Sequence, residues 1–113
     1  MSEYDQVVSA FATLQGKALS VMKDRQHKYG TGNINQAGYS GVLVRMGDKL
    51  ARLKNSGENF SDESLADTLI DLSNYALIAL MVVQGSWPKP SKEDRATIIK
   101  DQIAVLQKEL EAL

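Results

Sequence analysis

The chain contains no cysteine, one histidine, one tryptophan and only two prolines. Without cysteine there are no disulfides and no thiolate metal sites, so any metal must be held by oxygen ligands or by His27. A lone histidine leaves few arrangements for nucleophilic catalysis, and no Ser-His-Asp set stands out. The glycines form neither a P-loop nor a dinucleotide fingerprint. Excess charge is lacking too: 13 Lys and Arg against 14 Asp and Glu give a formal net charge of −1. That balance gives no footprint for a nucleic-acid polymer or a membrane surface. The start, MSEYDQVVSAF, has no basic run ahead of an apolar core, so no signal peptide is expected. The longest apolar run, Tyr75 to Val83, is too short to span a bilayer. These absences point to a soluble cytoplasmic protein. Its 113 residues make one domain, 1–113, with a modest core that oligomerisation would enlarge.

What is present is helical periodicity. Val7, Val8, Phe11, Leu14, Ala18, Leu19 and Met22 recur at helical spacing, predicting a first helix from about Glu3 to Lys28, interrupted by Gly16 as a candidate close-packing point. YGTGNINQAGYSG reads as a loop, long enough to suggest function. A second helix is expected from Ser40 to Asn55, burying Leu43, Met46, Leu50 and Leu53. Ser61 is the candidate N-cap of a third helix that buries Leu65, Leu69, Leu72 and Ala76 and is apolar on every face from Ala76 to Val83. Gly85 and SWPKPS break the chain. Ser91 and Asp94 then form a variant capping box for a fourth helix. Its apolar residues Ile99, Ile103, Leu106, Leu110 and Leu113 follow a narrow heptad seam suited to docking or dimerisation. No strand pattern competes. The expected architecture is all-α, roughly a four-helix bundle, completed by a homo-oligomer (dimer or tetramer) through the third and fourth helices.

Two polar stripes carry the candidate chemistry. Residues four apart on a helix drift by only about 40°, so Glu63, Asp67 and Asp71 form one row that Asn74 extends. Like charges at this spacing repel mildly, so the row does not serve helix stability. Mg²⁺ takes one or two carboxylates plus substrate phosphates, which such a row can supply. The second helix presents Arg45, Asp48, Lys49 and Arg52 on one face, suited to phosphate. The competing readings are a solvated acidic face, or ion pairs between the two stripes. Asp71 and Asn74 lie where the helix turns apolar and therefore need partners. Lys28 and Tyr29, at the loop entrance, are within reach of a phosphate or base, although a plain helix stop explains them equally. His27 reads as a solvated helix-end residue and Trp87 as a packing plug.

The segments GVLVRMGDKLARLKN and ESLADTLIDLSNYALIAL resemble the phage and bacterial nucleotide modification associated domain, a relative of the MazG-like all-α nucleoside triphosphate pyrophosphohydrolases. The likeness spans about Arg25 to Met81 and rests on Arg45, Gly47, Asp48, Lys49 and Arg52, then Glu63, Asp67, Asp71, Asn74 and Tyr75. It implies an oligomer with a Mg²⁺ (or Mn²⁺) site between helices and attack of a metal-bound water on a nucleoside triphosphate. On that reading Asp48, Glu63, Asp67 and Asp71 hold the metal, with Asp48, Glu63 and Asp67 as catalytic candidates. Arg45, Lys49 and Arg52 take phosphates, while Asn74 and Tyr75 orient the ligand. Ser64 stands where the MazG-type ExxD motif has its glutamate, and the second helix has one acid where those enzymes have three. Binding without turnover, as a sequestering protein in a phage-infected cytoplasm, is therefore the alternative function, and a structural helical oligomer is the third.

Overall fold

The computed structural model describes residues 1–56, 63–89 and 92–113, apart from the side chains of Glu63 and Asp94. It is all-α, with four helices among the described residues: α1 (Glu3–Tyr29), α2 (Gly32–Ser56), α3 (Glu63–Gln84) and α4 (Lys92–Glu111). Extended Ser2 caps α1, its hydroxyl accepting the Asp5 N–H at 3.1 Å. Glu3 and Asp5 in the first turn, with His27 and Lys28 in the last, suit the helix dipole. The helix stops at Gly30 (φ 65°, ψ −163°), a conformation open essentially to glycine alone, and the Gly30 N–H closes on the Gln26 carbonyl at 2.8 Å.

The expected loop before Ser40 is largely helical. The Asn35 N–H bonds the Thr31 carbonyl at 3.1 Å, and a short helical piece runs on until Gly38 (φ 68°, ψ −173°) kinks it. Gly and Asn signalled a departure from regular helix, and that departure is concentrated at Gly38. Beyond the kink, Gly41 lies so close to the Ala37 side chain that a Cβ there would collide with it. α3 ends at Gly85 (φ 78°), where the N–H groups of Ser86 and Trp87 both bond the Met81 carbonyl at 2.9 and 3.2 Å. The caps expected at Ser61 and Ser91 lie outside the described residues.

α3 is the centre of the packing: α2 lies along it and α1 crosses it with its C-terminal half. The core joins Ile34 and Val42 of α2 to Ile78 and Ala79 of α3, with Trp87 folded back over them and Met22, Met46, Tyr75, Met81 and Val82 around the edge. Trp87 is the plug expected of it, and its indole N–H donates to the Thr31 carbonyl at 3.4 Å. Half of each expected stripe turns inward: Met46 and Leu53 on α2, and Leu65 and Leu72 on α3. On α2 the inward face is Val42, Met46, Lys49 and Leu53, leaving Leu43 and Leu50 exposed. On α3 it is Thr68, Asp71, Leu72, Tyr75, Ile78 and Ala79, leaving Leu69 and Ala76 exposed. Periodicity alone cannot choose between adjacent rows that are both apolar. The inward rows are the ones that bring Lys49 and Asp71 together.

α4 buries none of its described side chains, and only Ile98 is half-covered. The first turns of α1 are exposed on all sides, and nothing lies near Gly16, so no close packing occurs there. The segment Ser64–Gln84 is long and apolar enough to cross a bilayer by length and composition, because α3 continues the apolar run N-terminally. A helix at the centre of a bundle meets the same criterion, and α3 carries Thr68 and Asp71 buried against its neighbours.

Candidate functional site

The last two turns of α1, the kinked start of α2 and the middle of α3 enclose a cavity of about 280 Å³. Its apolar floor is Met22, Ile34, Ile78 and Trp87. Its polar wall takes Arg25, Gln26 and Tyr29 from α1, Asn33 and Arg45 from α2, and Asp71, Asn74 and Tyr75 from α3. The helical period explains the contribution of α1. Met22, Arg25 and Tyr29 follow Ala18 at steps of four, three and four, so the apolar face of the helix turns polar without changing direction.

Asp71, 9% exposed, organises the charges. Arg25 donates from Nη2 to its Oδ1 at 3.1 Å, and Lys49 approaches its Oδ2 at 3.2 Å. Both carboxylate oxygens thus have cationic partners from two different helices. Arg45 donates to the Asn33 Oδ1 at 3.3 Å, and the Asn74 amide donates to the Ala18 carbonyl at 3.0 Å. These bonds fix the polar wall in place. Among the lining residues, two guanidiniums face one carboxylate, and half of the Arg25 side chain remains open to solvent. Such a wall favours an anion, and guanidinium forks match phosphate oxygens in particular.

The other candidate residues divide clearly. Arg45, Asp71, Asn74, Tyr75 and Tyr29 meet at the cavity, and Lys49 joins through Asp71. Asp67 lines a neighbouring depression together with Ser20, Asp24, Arg25 and Asp71, so Asp71 borders both spaces. Lys28 points away into an exposed pair with Asp24 at 3.3 Å. Asp48 and Arg52 are exposed, with no ion pair among the described residues. The side chain of Glu63 lies outside the described residues. For a divalent metal, the described carboxylates do not form a fitting set. Asp71 is engaged by two cations, Asp24 beside it is paired with Lys28, which leaves Asp67 alone in their shared depression, and Asp48 is on the exposed side of α2. Among the described residues no three His, Asp or Glu side chains converge on one point. The ion-pair alternative accounts for Lys49 and Asp71, but not for Arg45, Asp48 or Arg52.

Arg25, Gln26, Asn33 and Trp87 complete the cavity without having been singled out for it. A usable signal existed for Arg25: a charged residue in line with Ala18, Met22 and Tyr29 on one helix face. No comparable signal marks Asn33, which reaches the wall through the Gly38 kink. Comparison of the chain with protein-family models, with curated proteins and with solved structures finds no match.

Proposed function

We propose that this is a nucleotide-binding protein whose ligand occupies the cavity between α1, α2 and α3. The observation that carries the reading is the pairing, in one cavity, of two guanidiniums with the aromatic residues Tyr29, Tyr75 and Trp87. Arg25 and Arg45 take the phosphate. The tyrosines and the apolar floor accept the base and sugar, and the amide of Asn33 supplies a polar contact. At about 280 Å³ the cavity is near the lower end of small-molecule sites, a size suited to one nucleotide. The resemblance of the second and third helices to the nucleotide modification associated domain points the same way. A cytoplasmic setting suits a chain without cysteine.

Pyrophosphohydrolysis requires a metal-bound water as well as this ligand, and the described carboxylates do not converge into a set that would hold the metal. Binding is therefore the function proposed. The test is titration calorimetry with a panel of nucleoside mono-, di- and triphosphates, with and without Mg²⁺, followed by chromatography of the ligand. Binding by the parent protein, weakened about 10- to 100-fold in Arg45→Gln through loss of a charged hydrogen bond, is the expected result. The ligand should be recovered intact. Release of pyrophosphate in the presence of Mg²⁺, lost in Asp67→Asn, would make the protein an enzyme. Failure of every nucleotide to bind would remove the proposal.

A further inference from the structure

The surface of the single chain is too large for its mass. It exposes 8825 Å², whereas a compact monomer of 12.4 kDa exposes about 6,100 Å². Its radius of gyration is 18.0 Å, against about 13 Å for a compact domain of this length. The molecule is 63 Å long and only 23 Å thick. Exposed apolar side chains stand on α4 and on the arm formed by the first half of α1. There Tyr4, Val7, Phe11 and Leu14 occupy one face, every one of them well exposed. The same face continues through Ala18 into Met22, where it is covered by α3. A stripe built to be buried is thus buried along only half of its length.

The composition of the arm adds a second, independent observation. From Gln6 to Gly16 no residue carries a charge. A solvated helix surface normally intersperses charges of both signs, and an arm that stays in water gains nothing by omitting them. The missing charges also bear on what covers the arm. Helices that lie on lipid surfaces carry Lys and Arg along the polar face, and this segment has neither.

We propose that the α1 arm is the dimerisation element of the protein and that a second copy of the same chain covers its Tyr4–Val7–Phe11–Leu14 stripe. The area supports this partner. The excess of about 2,700 Å² per chain is shared between the arm and α4, and even half of it, counted on both copies, reaches about 2,700 Å², above the standard size of a stable interface. A two-fold assembly covers both arms at once, because each copy presents the same stripe to the other. The partner sits on the continuation of the face that bears Arg25 and Tyr29, and the ligand cavity itself is formed within one chain. The assembly and the nucleotide reading therefore stand or fall separately.

Sedimentation equilibrium of the full chain at micromolar concentration tests the proposal. A dimer, or a tetramer built from it, is expected. Phe11→Glu should reduce the parent mass by half or more while circular dichroism still reports a helical protein. Phe11 is 62% exposed in the single chain, so the substitution disturbs no packing within it. Should Phe11→Glu unfold the chain, Val7→Gln, a milder change on the same stripe, should raise the dissociation constant by at least tenfold. A parent protein that is monomeric, or a Phe11→Glu variant that keeps the parent mass, overturns the proposal. So does a monomer that floats with phosphatidylcholine and phosphatidylserine vesicles, which would make the arm a lipid contact.

Discussion

Asp71 is a carboxylate held between Arg25 and Lys49 at 3.1 and 3.2 Å, and that geometry assigns it a structural task. It positions one guanidinium on the cavity wall and neutralises a half-buried ammonium. Removing its charge leaves Lys49 without its counter-ion in a partly desolvated position. Asp71→Asn should therefore lower stability by about 1–3 kcal/mol, read from the urea midpoint. Asp67, one turn earlier but exposed, is the internal comparison. Asp67→Asn should change stability by no more than about 0.5 kcal/mol. Equal effects from the two variants would contradict the role given to Asp71. The acid row was visible in the sequence, and so was the acid that turns inward, because Asp71 lies where α3 becomes apolar. Its partner Arg25 was not visible, since only the packing of α1 against α3 brings the two together.

The element with most influence on the site is the kinked start of α2. Gly38 adopts φ 68° and ψ −173°, which a residue with a Cβ reaches only under strain. The six residues ahead of the kink carry Ile34 into the core and Asn33 onto the cavity wall. Gly38→Ala should lower the melting midpoint, by an amount corresponding to about 1–3 kcal/mol. It should also weaken nucleotide binding more than Gly47→Ala, which changes an exposed helical position with open space around it. Calorimetry on the two variants checks this. Because helix propensity favours alanine over glycine by about 1 kcal/mol, Gly47→Ala should be neutral or stabilising.

For the whole molecule, folding, ligand binding and assembly are linked by mass action. A ligand that binds only the native state adds about 2.7 kcal/mol of stability at 100 times its dissociation constant. The melting temperature of the parent protein should therefore rise with added nucleotide, and Arg45→Gln should need a higher ligand concentration for the same rise. It should also climb with protein concentration if native chains are held together by the α1 arms. Phe11→Glu should lose that concentration dependence and keep the response to nucleotide. A differential scanning fluorimetry grid over both concentrations separates the two effects.

The sequence by itself determined the local matters. Apolar residues at steps of three and four made the four helices. Gly85 with Trp87 and Pro88 ended the third, and the absence of cysteine left oxygen, nitrogen and cationic groups as the available chemistry. It also located the polar row of α3 and the cations of α2 that contribute to the cavity. The tertiary structure decided which members of each stripe faced inward, keeping Met46, Leu53, Leu65 and Leu72, turning Leu43, Leu50, Leu69 and Ala76 outward, and leaving the seam of α4 exposed. It also gave Asp71 a partner, Arg25, from 46 residues away in the chain. The physical reason is the range of the information. Helical periodicity relates residues within a few turns of one another, whereas the choice of neighbouring face depends on how two helices cross. That crossing is set by the packing of Ile34, Val42, Ile78 and Trp87, residues that meet only after the chain has folded.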